Sequence, residues 1–200
     1  MTARSAFLVA VLLAAGCETT RMQRPEYPPE LHIVVREAWG WQPSDRSISE
    51  HDIDKITLHH GGEDVPPGKD PQEFLRDFQQ WSRNEKHWVD LPYHFMIDMQ
   101  GTIYEARPLS IPGDTNTGYD TRGHALICVI GNYEHQVVSA AQVDAIVRLM
   151  AFLAQRFDVR LEDIKAHKDY SETLCPGMNL YKLLQDGTII DGVKRRLKHP

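Results

Sequence analysis

Residues 164–177 read IKAHKDYSETLCPG. This stretch carries an imidazole at His167 and a thiol at Cys175, with seven residues between them. The interval is polar, contains Ser171, and closes on a Cys-Pro-Gly turn, so it reads as a loop whose two ends can fold back on one point. Imidazole nitrogen and thiolate sulfur both suit zinc, and a catalytic zinc takes three protein ligands and leaves one position open. The pattern therefore asks for a third ligand. The best upstream candidate is KITLHHGG at 55–62, at His59 or His60. Taken alone, the His–Cys pair is equally compatible with a surface histidine and a small buried cysteine, so the surrounding chain has to decide.

Upstream, Lys55 to His59 places Ile56 and Leu58 at alternating positions, which suits a strand. His59 and His60 end that strand just before Gly61-Gly62, and neighbouring strand residues point to opposite faces. One of the two can then face a metal while the other packs elsewhere. Leu31 to Trp41 has a short strand-like run followed by Trp39 and Trp41, both expected in the core. Asp70-Pro71 opens a helix, with Asp70 as its N-cap. Phe74, Phe78 and Trp81 give that helix an apolar stripe that is expected to face the core. Pro92 to Asp98 reads as a strand, Met99-Gln100-Gly101 as its turn, and Thr102 to Ala106 as its hairpin partner.

Residues 108–122 form a long loop rich in Gly, Asp, Thr and Asn, and loops of that length in compact domains are often functional. Ala125 to Ile130 is apolar throughout and suits a strand buried on both faces, with Cys128 as a small core residue. Ser139 and Gln142 form a capping box ahead of a helix carrying Val143, Ile146, Val147, Met150 and Leu153 and ending near Phe157. A short helix is expected around Leu180 to Leu184, and then a solvated basic tail with Lys194, Arg195, Arg196 and Lys198. The fold class that follows is α/β: a single domain with a central mixed β-sheet flanked by α-helices.

A formal net charge of −6 gives no electrostatic footprint for nucleic acid. Three cysteines do not make a disulfide framework. Ala6 to Ala15 is an unbroken apolar run, too short to span a bilayer as a mature helix and suited to the apolar region of a secretory signal. Ala-Ala-Gly-Cys at 14–17 resembles a bacterial lipoprotein signal, which implies cleavage and a lipidated Cys17. An ordinary secreted protein is the alternative, and either way the domain is expected to work outside the cytoplasm. The expected organisation is a lipoprotein-type signal at 1–17, a Pro-rich tether at 18–30, a catalytic domain at 31–184 and a basic tail at 185–200.

Five stretches, in order, carry a further resemblance: REAWG at 36–40, ITLHH at 56–60, DLPYHFMIDMQGTIYEAR at 90–107, VIGNY at 129–133 and IKAHKDYSETLCPGMNLY at 164–181. Together they resemble the zinc-dependent N-acetylmuramoyl-L-alanine amidases, whose fold is shared with phage amidases and animal peptidoglycan-recognition proteins. The resemblance implies His59, His167 and Cys175 as zinc ligands, Tyr93 as a catalytic residue, and Thr173 at a position that assists the reaction. It implies peptidoglycan or muropeptides as substrate and cleavage of the amide joining the muramic lactyl group to L-alanine. A zinc ion so held would acidify a water and polarise the amide carbonyl. Tyr93 and Thr173 would hydrogen-bond the developing oxyanion.

The chain departs from its relatives at two places. Cys128 stands where a related cytosolic branch has a glutamate. The loop GDTNTGYDTRGH has Thr115 near the place of a histidine common in animal members. His60, His87, His94, His124 and His135 are expected to be structural or surface residues. The enzyme is expected to act as a monomer. A non-catalytic peptidoglycan-binding module and a zinc peptidase acting within the stem peptide are the competing readings.

Overall fold

The computed structural model describes residues 24–66 and 68–199. The signal segment, Cys17 and the first part of the tether lie outside the described residues. Six strands form one mixed sheet: β1 (Ile33–Val34), β2 (Lys55–His60), β3 (Phe95–Ile97), β4 (Ile103–Glu105), β5 (His124–Val129) and β6 (Ile164–Ala166). Their spatial order is β1-β4-β3-β5-β2-β6. The β3–β4 hairpin is the antiparallel pair and the remaining neighbours run parallel. Four helices complete the described fold: α1 (Pro71–Asn84), α2 (Ala140–Phe157), α3 (Met178–Gln185) and α4 (Thr188–Lys198). The expected α/β class and mixed sheet are what the structure has.

Strand alternation sorts the side chains onto two faces. Ile56 and Leu58 of β2 join Ala125, Ile127 and Val129 of β5 on one face, beneath Ile146, Leu149, Met150 and Leu153 of α2. Met96, Tyr104 and Cys128 lie in the opposite core with Trp39 and Leu75. β5 is buried along its whole length, as its unbroken apolar run predicts. The α2 start also follows its sequence. The Gln142 N–H donates to Ser139 Oγ at 3.2 Å, and the Ser139 N–H donates back to Gln142 Oε1 at 3.0 Å.

Three expectations are corrected. Residues beyond 185 are not a free tail, because α4 packs on α2 and buries Ile189 and Val193. Its basic residues occupy the outer face, and Arg196 pairs with Asp144 of α2 at 2.8 Å. The domain therefore extends past residue 184. The later part of the tether is docked as well. Tyr27 packs edge-on against Phe95 and Phe152 and donates to Glu105 Oε1 at 2.9 Å. Arg24 also pairs with that buried carboxylate. Finally, Phe74 and Phe78 of α1 pack against the core as expected, but Trp81 is left 42% exposed, and Leu75, Gln79 and Ser82 are the buried positions. A polar network sets this rotation: Gln79 Nε2 donates to Asp90 Oδ1 at 2.6 Å, and Trp41 Nε1 donates to Asp90 Oδ2 at 2.7 Å.

Candidate metal centre

The register of three parallel strands assembles the site. Ile164 and Ala166 of β6 pair with Ile56 and Leu58 of β2. His167 follows immediately and so arrives beside His59, with ring centroids 4.6 Å apart. On the other side of β2, His59 stands opposite Cys128 of β5. His59 belongs to the odd-numbered face of β2, away from α2, where α1 and Tyr93 lie.

The 167–177 loop then folds back as its composition predicts. The Lys168 N–H donates to the Cys175 carbonyl at 3.0 Å. Gly177 has φ +86°, and a Cβ there would meet the Tyr133 backbone at 2.3 Å, so only glycine fits the turn without strain. Cys175 Sγ lies 3.5 Å from His59 Nδ1 and accepts the His60 backbone N–H at 3.3 Å. The donor atoms of His59, His167 and Cys175 all lie within 4.8 Å of one another, and all three residues are buried. Bonds of about 2.0–2.3 Å to a shared zinc need donors that close.

The protonation states fit a cation. Burial, reinforced by His167, holds His59 well below the ordinary histidine range. Burial lowers His167 to about 4, with His60 adding to the effect. Both rings are therefore neutral near pH 7, the form in which imidazole binds metal. Burial pushes the Cys175 thiol up to about 12, against the His60 backbone hydrogen bond that lowers it. A thiolate at this depth accordingly needs a positive charge beside it, and a divalent ion supplies one.

Tyr93 sits next to this cluster, its ring 5.1 Å from that of His59. Burial, and then the thiols of Cys128 and Cys175, raise its phenol well above the ordinary value. The hydroxyl thus keeps its proton and is a donor. Thr173 Oγ1 accepts the Cys175 N–H at 3.2 Å, which braces the loop beneath the ligand. His59, His60, Tyr93, His167, Thr173 and Cys175 all line one cleft of about 320 Å³, within the size range of small-ligand sites. Trp88 and Asn116 form other parts of its wall.

His59, His167, Cys175, Tyr93 and Thr173 are thus brought to one place. His94 and His124, expected to be structural, are so. His94 Nδ1 accepts the Leu126 N–H at 2.9 Å, and His124 Nδ1 meets Thr57 Oγ1 at 2.7 Å. His60 Nδ1 accepts the Tyr133 N–H at 3.1 Å. Sequence reasoning missed two hydroxyls in the long loop. Tyr119 Oη lies 3.3 Å from His59 Nε2, and Thr117 Oγ1 lies 2.7 Å from His167 Nε2. The loop's length marked it as functional, but nothing in its spacing singled out these side chains.

The family model described as N-acetylmuramoyl-L-alanine amidase matches residues 49–178, a span that holds all three donors, Tyr93 and Thr173. This chain belongs to the N-acetylmuramoyl-L-alanine amidase family. Its curated relatives include peptidoglycan recognition protein 1 of Bos indicus, 33% identical over 76% of this chain and 82% of that protein. The mouse protein of the same name is 29% identical over 76% of this chain and 86% of its own length. Among solved structures, Drosophila peptidoglycan recognition protein SD superposes with a TM-score of 0.69 at 25% identity, covering 76% of this chain and 92% of that one. The N-acetylmuramoyl-L-alanine amidase LysC from Clostridium intestinale superposes with a TM-score of 0.64 at 23% identity, covering 78% and 96%. The chain therefore shares its fold with these proteins over about three quarters of its length.

Proposed function

We propose that this family member is a zinc-dependent N-acetylmuramoyl-L-alanine amidase that cleaves the amide between muramic acid and L-alanine in peptidoglycan or muropeptides. The observation that carries this reading is the convergence of His59, His167 and Cys175 within 4.8 Å of one another, beside Tyr93 at the floor of an open cleft. When bound, zinc supplies a Lewis acid for the amide carbonyl and lowers the pKa of a water at its open position. The chain's own residues do the rest. His59 and His167 stay neutral through burial, and the His60 backbone N–H shares the charge on Cys175 Sγ.

Tyr93, held protonated, donates to the oxygen of the scissile carbonyl as it gains charge. Thr173 offers its hydroxyl proton from the cleft wall while its oxygen accepts from Cys175. Cys128 provides no carboxylate on β5, and Tyr93, which lines the cleft beside His59, takes the role of proton donor there. The exported, membrane-tethered organisation read from residues 1–30 suits this substrate. We infer a monomer anchored through a lipidated Cys17 and facing the periplasm or cell wall.

A second reading, recognition of peptidoglycan without cleavage, draws support from the names of the relatives, several of which are recognition proteins. One structural neighbour was solved with tracheal cytotoxin, a monomeric diaminopimelic acid-type peptidoglycan. Digestion of purified peptidoglycan separates the two. The protein without residues 1–17 is incubated with zinc, with chelator, and as Cys175→Ser, and products are identified by mass spectrometry. Chelator-sensitive release of intact stem peptides, absent in the variant, is the expected result. Wall binding with no release would leave a recognition module, and split stem peptides would make it a peptidase.

A further inference from the structure

An imidazole that binds metal through one nitrogen commonly donates its other N–H to a fixed acceptor, which sets the tautomer and the ring angle. At His59 the two nitrogens have distinct neighbours. Nδ1 faces Cys175 Sγ at 3.5 Å, and Nε2 faces Tyr119 Oη at 3.3 Å. Tyr119 does not line the cleft. It stands behind the ligands, in the loop where the chain departs from its relatives.

Its ring is clamped. Tyr170 stacks on it with centroids 5.5 Å apart and planes 18° from parallel, His124 meets it edge-on at 5.4 Å, and the His167 ring lies 5.1 Å away. A phenol keeps its proton near pH 7 and is a neutral hydroxyl. Its oxygen lone pair is then available to the His59 N–H. No other side-chain hydrogen bond is formed by the Tyr119 hydroxyl among the described residues.

We propose that Tyr119 is a positioning residue of the metal centre: its hydroxyl oxygen accepts the Nε2–H of His59 and so presents Nδ1 to the ion beside Cys175. The inference rests on the metal reading above and adds a role that the cleft itself does not contain. It is chemically sharper than packing, because a phenylalanine would keep the stack and lose only the acceptor. Outer partners of this kind typically contribute about 10–100-fold to metal affinity.

The test is zinc affinity by competition with a chromophoric chelator for the wild type, Tyr119→Phe and Tyr170→Phe, with the thermal stability of each metal-free protein measured alongside. Tyr119→Phe is expected to bind zinc about 10–100-fold more weakly while remaining folded without metal, its metal-free melting temperature lowered only by the one lost hydrogen bond. Tyr170→Phe, which loses a stacking neighbour's hydroxyl but no contact to a ligand nitrogen, is expected to match the wild type. Equal affinity in Tyr119→Phe and wild type overturns the proposal. A wild type that binds no zinc instead overturns the metal reading beneath it. Imidazole nitrogen NMR of the zinc-loaded wild type provides an arm that needs no variant: His59 should carry its proton on Nε2, and a proton on Nδ1 overturns the assignment.

Discussion

The two faces of β2 show how one strand serves two purposes. Ile56 and Leu58 point toward α2 into a core made of apolar side chains, while Thr57 and His59 point the other way among His124, Cys128 and Tyr93. The first face can be filled by shape alone. The second buries groups that each need a hydrogen-bond partner or an ion, because an unpaired polar group costs on the order of 1–3 kcal/mol when desolvated. The difference teaches that the apolar face supplies rigidity and the polar face relies on it. His59 and His167 meet only because β2, β5 and β6 are locked in register from behind.

Substitutions on the two faces should therefore separate stability from chemistry. The largest stability effect is expected for Leu58→Ala, buried between β5 and β6 beneath α2. The cavity should cost about 2–5 kcal/mol, seen as a lowered melting temperature. Zinc affinity of the fraction still folded should be close to wild type, and a selective loss of zinc at unchanged stability would break the comparison. Tyr93→Phe should do the opposite. Removing one donor to a developing oxyanion costs about 100–1,000-fold in turnover, measured as stem-peptide release, with little change in unfolding temperature.

A smaller, pH-dependent effect sharpens the contrast within the polar face. Burial holds His94 down to about 3, and burial with Lys55 holds His124 down to about 4. Both are neutral when folded, whereas the unfolded chain takes up their protons near pH 6.5. Their contribution to stability is thus complete above about pH 6.5 and is lost as the pH falls through about 4 and then about 3. Denaturant melts of the metal-free protein from pH 7 to pH 4 should show the decline, and His94→Gln should flatten part of it. A flat profile in the wild type would mean that these rings carry no such linkage.

Much of this molecule was legible before its fold was known. β2, β5, the β3–β4 hairpin and the capped start of α2 each announce themselves through short-range pattern. The His-His-Cys cluster that could hold a metal is carried by motifs that lie at strand ends and turns. Three features escaped. The charge run at Lys194 to Lys198 drew attention from Ile189 and Val193, whose helical spacing buries one side of α4. On α1, Phe74 and Phe78 pack on the core but Trp81 does not, since satisfying the buried Gln79–Asp90 pair outweighs hiding the edge of Trp81. Tyr119 lies in a loop without periodicity, so its partner could not be read from spacing.

The chain's local chemistry by itself determined which residues could bind a cation, which segments alternate as strands, and where the helices begin, because these depend on neighbours a few positions away. Only the tertiary structure decided that β6 docks beside β2 in the register that sets His167 against His59, that Cys175 returns under the His60 N–H, and that Tyr119 reaches His59 Nε2. Those contacts join residues from 60 to 115 positions apart. Their geometry comes from packing the whole sheet, which no short stretch of sequence contains.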